Sequence, residues 1–109
     1  MAFKAKGTKI IMDAYDYGIQ IPFDISDLEF EDGDTILFEI KKSKDSGAII
    51  SKEYTNESTD TDTFRFFLEF TKKESEQLYP GNYVYYLKHI RDGEVRDTLV
   101  SGEDFKINK

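Results

Sequence analysis

The stretch at residues 63–70, TFRFFLEF, constrains the chain more than any other. Phe64, Phe66, Leu68 and Phe70 fall on alternate positions. A period of two belongs to an extended strand, whose successive side chains leave on opposite faces. On a helix the same four groups would spread over both sides of the axis and could not be buried together. Four large apolar groups on one side of a strand need a second layer to cover them, so a sheet packed face to face on another is the first requirement on the fold.

The pattern recurs along the chain. Residues 35–42 (TILFEIKK) put Ile36, Phe38 and Ile40 opposite Leu37, Glu39 and Lys41. After the polar cluster at 43–47, residues 48–55 (AIISKEYT) read as the hairpin partner. Residues 81–90 (GNYVYYLKHI) alternate Tyr83, Tyr85 and Leu87 against Val84, Tyr86 and Lys88, and the tight turn Arg91-Asp92-Gly93 leads into a further strand at 94–100. Gly102 offers a bulge, and Phe105 and Ile107 return the chain to the core. Near the start, residues 8–13 and 18–24 read as extended, the second with Ile19, Ile21 and Phe23 on one face. Pro22 cannot donate to a ladder and implies an edge position. The intervening 14–17 reads as a kink that carries the first strand from one sheet to the other.

Residues 56–62 (NESTDTD) hold no apolar side chain and form a loop. Thr71-Lys72-Lys73-Glu74 matches a capping box, predicting one helical turn near 72–78. Together these elements predict an all-β, immunoglobulin-like antiparallel β-sandwich of about seven strands, with a small barrel as the competing architecture. Residues 1–109 form one domain on this reading, because the length supports a single core. Tyr83 follows Gly81 at the start of a late strand, where sandwiches place a tyrosine corner; an ordinary core tyrosine is the alternative.

Charge and composition narrow the function. Lys and Arg number 15 against 22 Asp and Glu, a formal charge of -7, which repels phosphate backbones and anionic lipid. Neither nucleic acid nor a membrane is expected as a partner. With no cysteine, disulfides, thiolate metal sites and cysteine nucleophiles are all excluded, which fits a reducing cytoplasm. Residues 1–18 lack an apolar run long enough for a signal peptide, so no signal peptide is expected.

Three stretches carry a resemblance. They are Lys9-Ile10-Ile11-Met12-Asp13 with Ile19-Gln20-Ile21-Pro22-Phe23, then Ile36-Leu37-Phe38-Glu39-Ile40-Lys41-Lys42, and lastly 78–87 (LYPGNYVYYL) with Asp92-Gly93 and Ser101-Gly102. Together they resemble the N-terminal immunoglobulin-like domain of phage baseplate upper proteins, from phages and prophages of Gram-positive bacteria. The resemblance implies a virion component of the tail baseplate, made in the bacterial host cytoplasm and then placed in the virion tail. It also implies a structural protein that binds other tail or baseplate proteins or itself. In that family a longer oligomerising or receptor-binding section commonly follows. Here the chain ends just after the last strand, as expected of a stand-alone accessory protein or of one whose remainder lies outside this sequence.

No catalytic, cofactor-binding or metal residue stands out. His89 is the sole histidine, and without a second nitrogen or sulfur ligand a zinc site is not expected. Ser101, His89 and Asp97 can be drawn as a triad, yet no nucleophile elbow accompanies Ser101. The acidic turns 31–34 and 60–62 offer oxygen ligands without calcium-loop spacing, so solvated turns are the simpler reading. Paired carboxylates for glycoside hydrolysis would need a cleft that a core of this size scarcely provides. Tyr54, Phe67 and Tyr86 are expected to point away from the main core as an aromatic interaction face. The expected function is therefore a non-catalytic assembly module working through protein–protein contacts, with no enzyme activity and no cofactor. A free-standing binding module for a carbohydrate or cell-surface ligand is the alternative.

Overall fold

The computed structural model describes residues 10–15, 17, 18, 20–26, 30–58 and 63–109. Seven strands form: β1 (Ile10–Asp13), β2 (Ile21–Ser26), β3 (Thr35–Lys41), β4 (Ala48–Thr55), β5 (Thr63–Leu68), β6 (Gly81–Arg91) and β7 (Glu94–Asn108). One helical turn, α1 (Lys72–Ser75), precedes β6. A five-stranded sheet in the order β1-β7-β6-β3-β4 faces a two-stranded sheet, β2-β5, giving a β-sandwich-like fold. Alternation decides which side chains fill the space between the sheets. Ile36, Phe38 and Ile40 from β3, Tyr85 and Leu87 from β6, and Phe64, Phe66 and Leu68 from β5 are all fully buried there.

Phe38 sits at the aromatic centre, with ring centroids 5.7 Å from Tyr85, 6.2 Å from Phe70 and 6.3 Å from Phe105. These are offset and tilted contacts of the kind the ring quadrupoles favour. Burial also pushes the Tyr85 hydroxyl far above the ordinary tyrosine range, with the charge of Glu103 adding to the effect.

Short-range chemistry accounts for the connections. Asp92 and Gly93 both take positive φ, 54° and 78°, as a two-residue turn between right-twisted strands requires. In β7, Glu103 faces Tyr85 while Ser101 faces Tyr86, so Gly102 is the extra residue of a bulge, at φ 72°. Thr71 Oγ1 accepts from the Glu74 amide at 3.1 Å and a Glu74 carboxylate oxygen accepts from the Thr71 amide at 2.8 Å, completing a capping box.

One pairing departs from an all-antiparallel sandwich. β1 runs parallel to β7, with Ile10 opposite Phe105 and Asp13 opposite Asn108. Hairpin turns fix antiparallel neighbours, whereas β1 leaves for the other sheet through the bend at Ala14 and Tyr15, so no turn sets its direction. The kink expected over 14–17 lies here; Asp16 and Ile19 are outside the described residues.

Candidate functional site

A buried polar cluster is built where the turn after residue 30 meets the end of β6. The Asp34 amide donates to the Glu31 carbonyl at 3.1 Å, and the Glu31 amide donates to Asp34 Oδ2 at 2.9 Å, closing the turn on itself. Arg91 then grips the same carboxylate with two donors, Nε to Oδ1 and Nη2 to Oδ2, each at 2.9 Å. His89 Nε2 lies 2.8 Å from Asp34 Oδ2, under the Phe30 ring, whose centroid is 5.0 Å away. Arg91 Nη1 reaches Glu31 Oε2 at 2.8 Å. Asp34 is 4 % exposed and His89 1 %. The Arg91 guanidinium, aided by the Glu31 amide and His89, outweighs burial and holds the Asp34 carboxyl well below the usual carboxylate range.

Glu31, Asp32 and Gly33 are exposed, as a solvated turn requires, but the reading is corrected at Asp34, which faces inward with its oxygens already occupied by donors. The cluster is held together by its own charges, with both Asp34 oxygens taken up by donors. Among the described residues no group of three or more His, Cys, Asp or Glu is placed to hold a metal ion. The second acidic turn, 60–62, lies outside the described residues. Ser101 does not meet His89 either. His89 faces the core and Asp34, whereas Ser101 is exposed opposite Tyr86, a residue of the other face of β6.

The second feature is an open cleft of about 430 Å³ where the edge of β4 approaches β5, lined by Tyr17, Lys52, Tyr54, Phe67, Glu69 and Thr71 among others. Tyr54 stacks on Phe66 with centroids 4.8 Å apart, and its hydroxyl is buried with no hydrogen-bond partner. Burial raises the Tyr54 hydroxyl above its ordinary value, against the opposing charge of Lys52. Lys52 donates to the Glu69 carbonyl and, at 3.0 Å, to Glu74 Oε1, which ties β4 to the segment entering α1. Burial works to raise the Glu74 carboxyl, yet the Thr71 amide and Lys52 outweigh it and leave it lowered.

Of the three residues expected to form one outward aromatic face, Tyr54 and Phe67 line the same cleft and Tyr86 stands apart from them. Tyr54 turns inward against the core, because the partner strand β3 sets its face opposite Ile36. Phe67 lies on the other side of β5 from Phe66, half-buried, and shares the cleft with Tyr54. Tyr86 is on the outer face of the large sheet, but it is only 9 % exposed, with Lys41 and Lys88 ammonium groups 4.9 Å and 5.8 Å from its ring centroid. Long lysine stems cover what alternation alone would leave as an apolar patch. Among the described residues the exposed aromatics are others: Tyr15, Tyr17 and Tyr79 are each more than half exposed. Tyr83 is buried at the base of this region and its hydroxyl donates to the Tyr79 carbonyl at 2.7 Å.

Sequence reasoning missed the Asp34 cluster, although a signal existed. His89 and Arg91 share the inward parity of β6, and two such polar groups at the end of a core-facing row call for an acidic partner. No protein-family model, curated protein or solved structure matches this chain.

Proposed function

We propose that this chain is a non-catalytic, immunoglobulin-like assembly module of a phage or prophage tail baseplate, acting through protein–protein contacts. Strand order supports the immunoglobulin-like part. One sheet carries β7, β6, β3 and β4 side by side and the other pairs β2 with β5, as strands G, F, C, C′ and B, E do in a variable-type domain. The hydroxyl of Tyr83 reaching back to the Tyr79 carbonyl supports the same reading, since a tyrosine corner at the start of strand F makes a hydrogen bond of this kind. The resemblance of the three sequence stretches supports the baseplate part.

A single observation carries the assembly role: among the described residues the small sheet has two strands, and the outer edge of β5 is open at Phe67, beside an aromatic cleft. Exposed strand edges are docking surfaces for other chains. Mass spectrometry of purified phage particles from an induced lysate tests the proposal. The chain is expected at stoichiometric abundance beside other tail proteins; its absence from particles in which those proteins are detected overturns the virion role.

A second reading rests on Tyr15, Tyr17 and Tyr79, since exposed tyrosines suit recognition of a carbohydrate or cell-surface ligand. That reading gains only if the chain is missing from particles and binds an immobilised glycan or host cell in a manner that Tyr79→Ala abolishes.

A further inference from the structure

We propose that the outer edge of β5 at Phe67 takes up a short, extended, basic segment of a partner protein as an added strand. The inference rests on the assembly reading above, because it requires a partner chain.

The backbone of β5 defines the position. The Arg65 amide donates to Asn56 Oδ1 at 2.9 Å, and the Arg65 carbonyl accepts from the Glu57 amide at 2.8 Å, so both Arg65 groups point away from β2. The Thr63 carbonyl, two residues earlier, accepts from Asn56 Nδ2 at 2.9 Å on the same side. The Glu69 carbonyl, four residues after Arg65, accepts from Lys52 Nζ. Strand period places the Phe67 N–H and C=O on that same outer side, midway between these closed positions. Among the described residues they have no partner, while the Thr63 carbonyl, both Arg65 groups and the Glu69 carbonyl are capped by Asn56, Glu57 or Lys52.

Asn56 and Glu57 thus close the edge of β5 as far as Arg65. From Arg65 to Glu69 the edge spans about 13 Å, room for three or four extended residues. A strand laid there exchanges two backbone hydrogen bonds with Phe67 and puts one side chain into the cleft against Tyr54 and the Phe67 ring. Buried backbone groups need partners, so an occupant of this kind is favoured over an apolar body that would leave the Phe67 groups unpaired. The opposite edge of the sheet is closed to such pairing: Pro22 faces Phe67 across the ladder, so by the same parity its missing N–H falls on the outer edge of β2.

Charge selects the partner. Glu69 lines the cleft and Glu57 stands beside Arg65, while the nearby cations are already paired, Lys52 with Glu74 and Arg65 with Asp24. The chain carries a formal charge of -7, which attracts a basic segment and opposes the approach of a second copy.

The test is a titration of the isotope-labelled full chain with the blocked peptide Lys-Lys-Val-Lys-Lys, read by amide shifts and hydrogen exchange. Saturable shifts centred on Phe67, with its exchange slowed at least tenfold, are expected. Methylating the central valine nitrogen, which removes the donor to the Phe67 carbonyl, weakens binding at least tenfold, and so does replacing every lysine by glutamate. Equal binding of the acidic peptide overturns the charge argument and with it the proposal. So do shifts centred on β4 or β1, no binding at all, or a Phe67 amide that moves with protein concentration alone through self-association. A chain found in phage particles that fails these titrations leaves the assembly reading standing and overturns only this docking mode.

Discussion

Asp34 is the residue on which the most converges. Its carboxylate receives the fork of Arg91, the amide of Glu31 and the ring of His89, all beneath Phe30. Asp34→Asn keeps the shape and removes the charge, leaving Arg91 facing a neutral amide that cannot accept the whole fork. A loss of about 3 kcal/mol is expected from urea unfolding at neutral pH, the scale of a broken buried pair. The pH dependence has a definite sign. Because the folded carboxyl is held below its ordinary value by Arg91, the unfolded chain takes up the proton first. The Asp34 contribution is therefore complete above the ordinary carboxylate value of about 4 and is lost as pH falls below it. The difference in stability between the native chain and Asp34→Asn is expected to shrink steadily below about pH 4. A constant difference down to the acid transition would show that the charge of Asp34 is not what the cluster uses. Half of this cluster was legible from the sequence. His89 reads as inward-facing from the alternation of β6, but Asp34 lies 55 residues away in a turn whose composition suits solvent equally well. Nothing local distinguishes an acid held inside a fold from one held outside it.

At the scale of elements, what could be read was whatever a few consecutive residues determine. The Asp92-Gly93 turn, the bulge at Gly102 and the capping box at Thr71 and Glu74 are each specified by backbone conformation or hydrogen bonding within a span of four residues. Alternation then assigns faces inside each strand. It does not say which strand lies alongside, and so the parallel pairing of β1 with β7 and the separation of Tyr86 from Tyr54 and Phe67 could not be read from it. Tyr86 shows the reason. Its outward parity was evident, but Lys88 on its own strand and Lys41 on β3 cover it, and Lys41 reaches it only because β3 is its neighbour. The capping box has an energetic consequence of its own. Thr71→Ala removes the acceptor for the Glu74 amide and loosens the carboxylate that Lys52 holds at 3.0 Å. A loss of about 1 kcal/mol is expected in thermal or urea unfolding, with Thr71→Ser restoring most of it. A loss well below that would mean that Lys52 alone positions the turn.

On the scale of the whole molecule the two sheets are unequal, and this raises the question of whether they unfold as one. A pair of strands by itself is marginal in water, so β2 and β5 owe their order to the five-stranded sheet they cover. The chain also crosses between sheets at β1 to β2, β2 to β3, β4 to β5 and β5 to β6, so the small sheet cannot peel away without drawing on strands of the large one. Its inward side chains are as deeply buried as any: Ile25 is 1 % exposed and Phe64 and Phe66 are fully enclosed. Removing that layer would expose Phe38, Tyr85 and Phe105 at once, at a cost comparable to unfolding everything. Ile25→Ala in β2 therefore acts on global stability. It is expected to lower the urea midpoint by the equivalent of about 3 kcal/mol while leaving the m-value unchanged. Far-ultraviolet circular dichroism, dominated by the larger sheet, and the fluorescence of the tyrosines are expected to report the same transition. A reduced m-value, or a tyrosine signal that changes at lower urea than the backbone signal, would mean that the two-stranded layer opens first. The edge of β5 would then detach from its sheet before the rest of the fold, and the strand-addition site at Phe67 would be a surface formed only when a partner holds it.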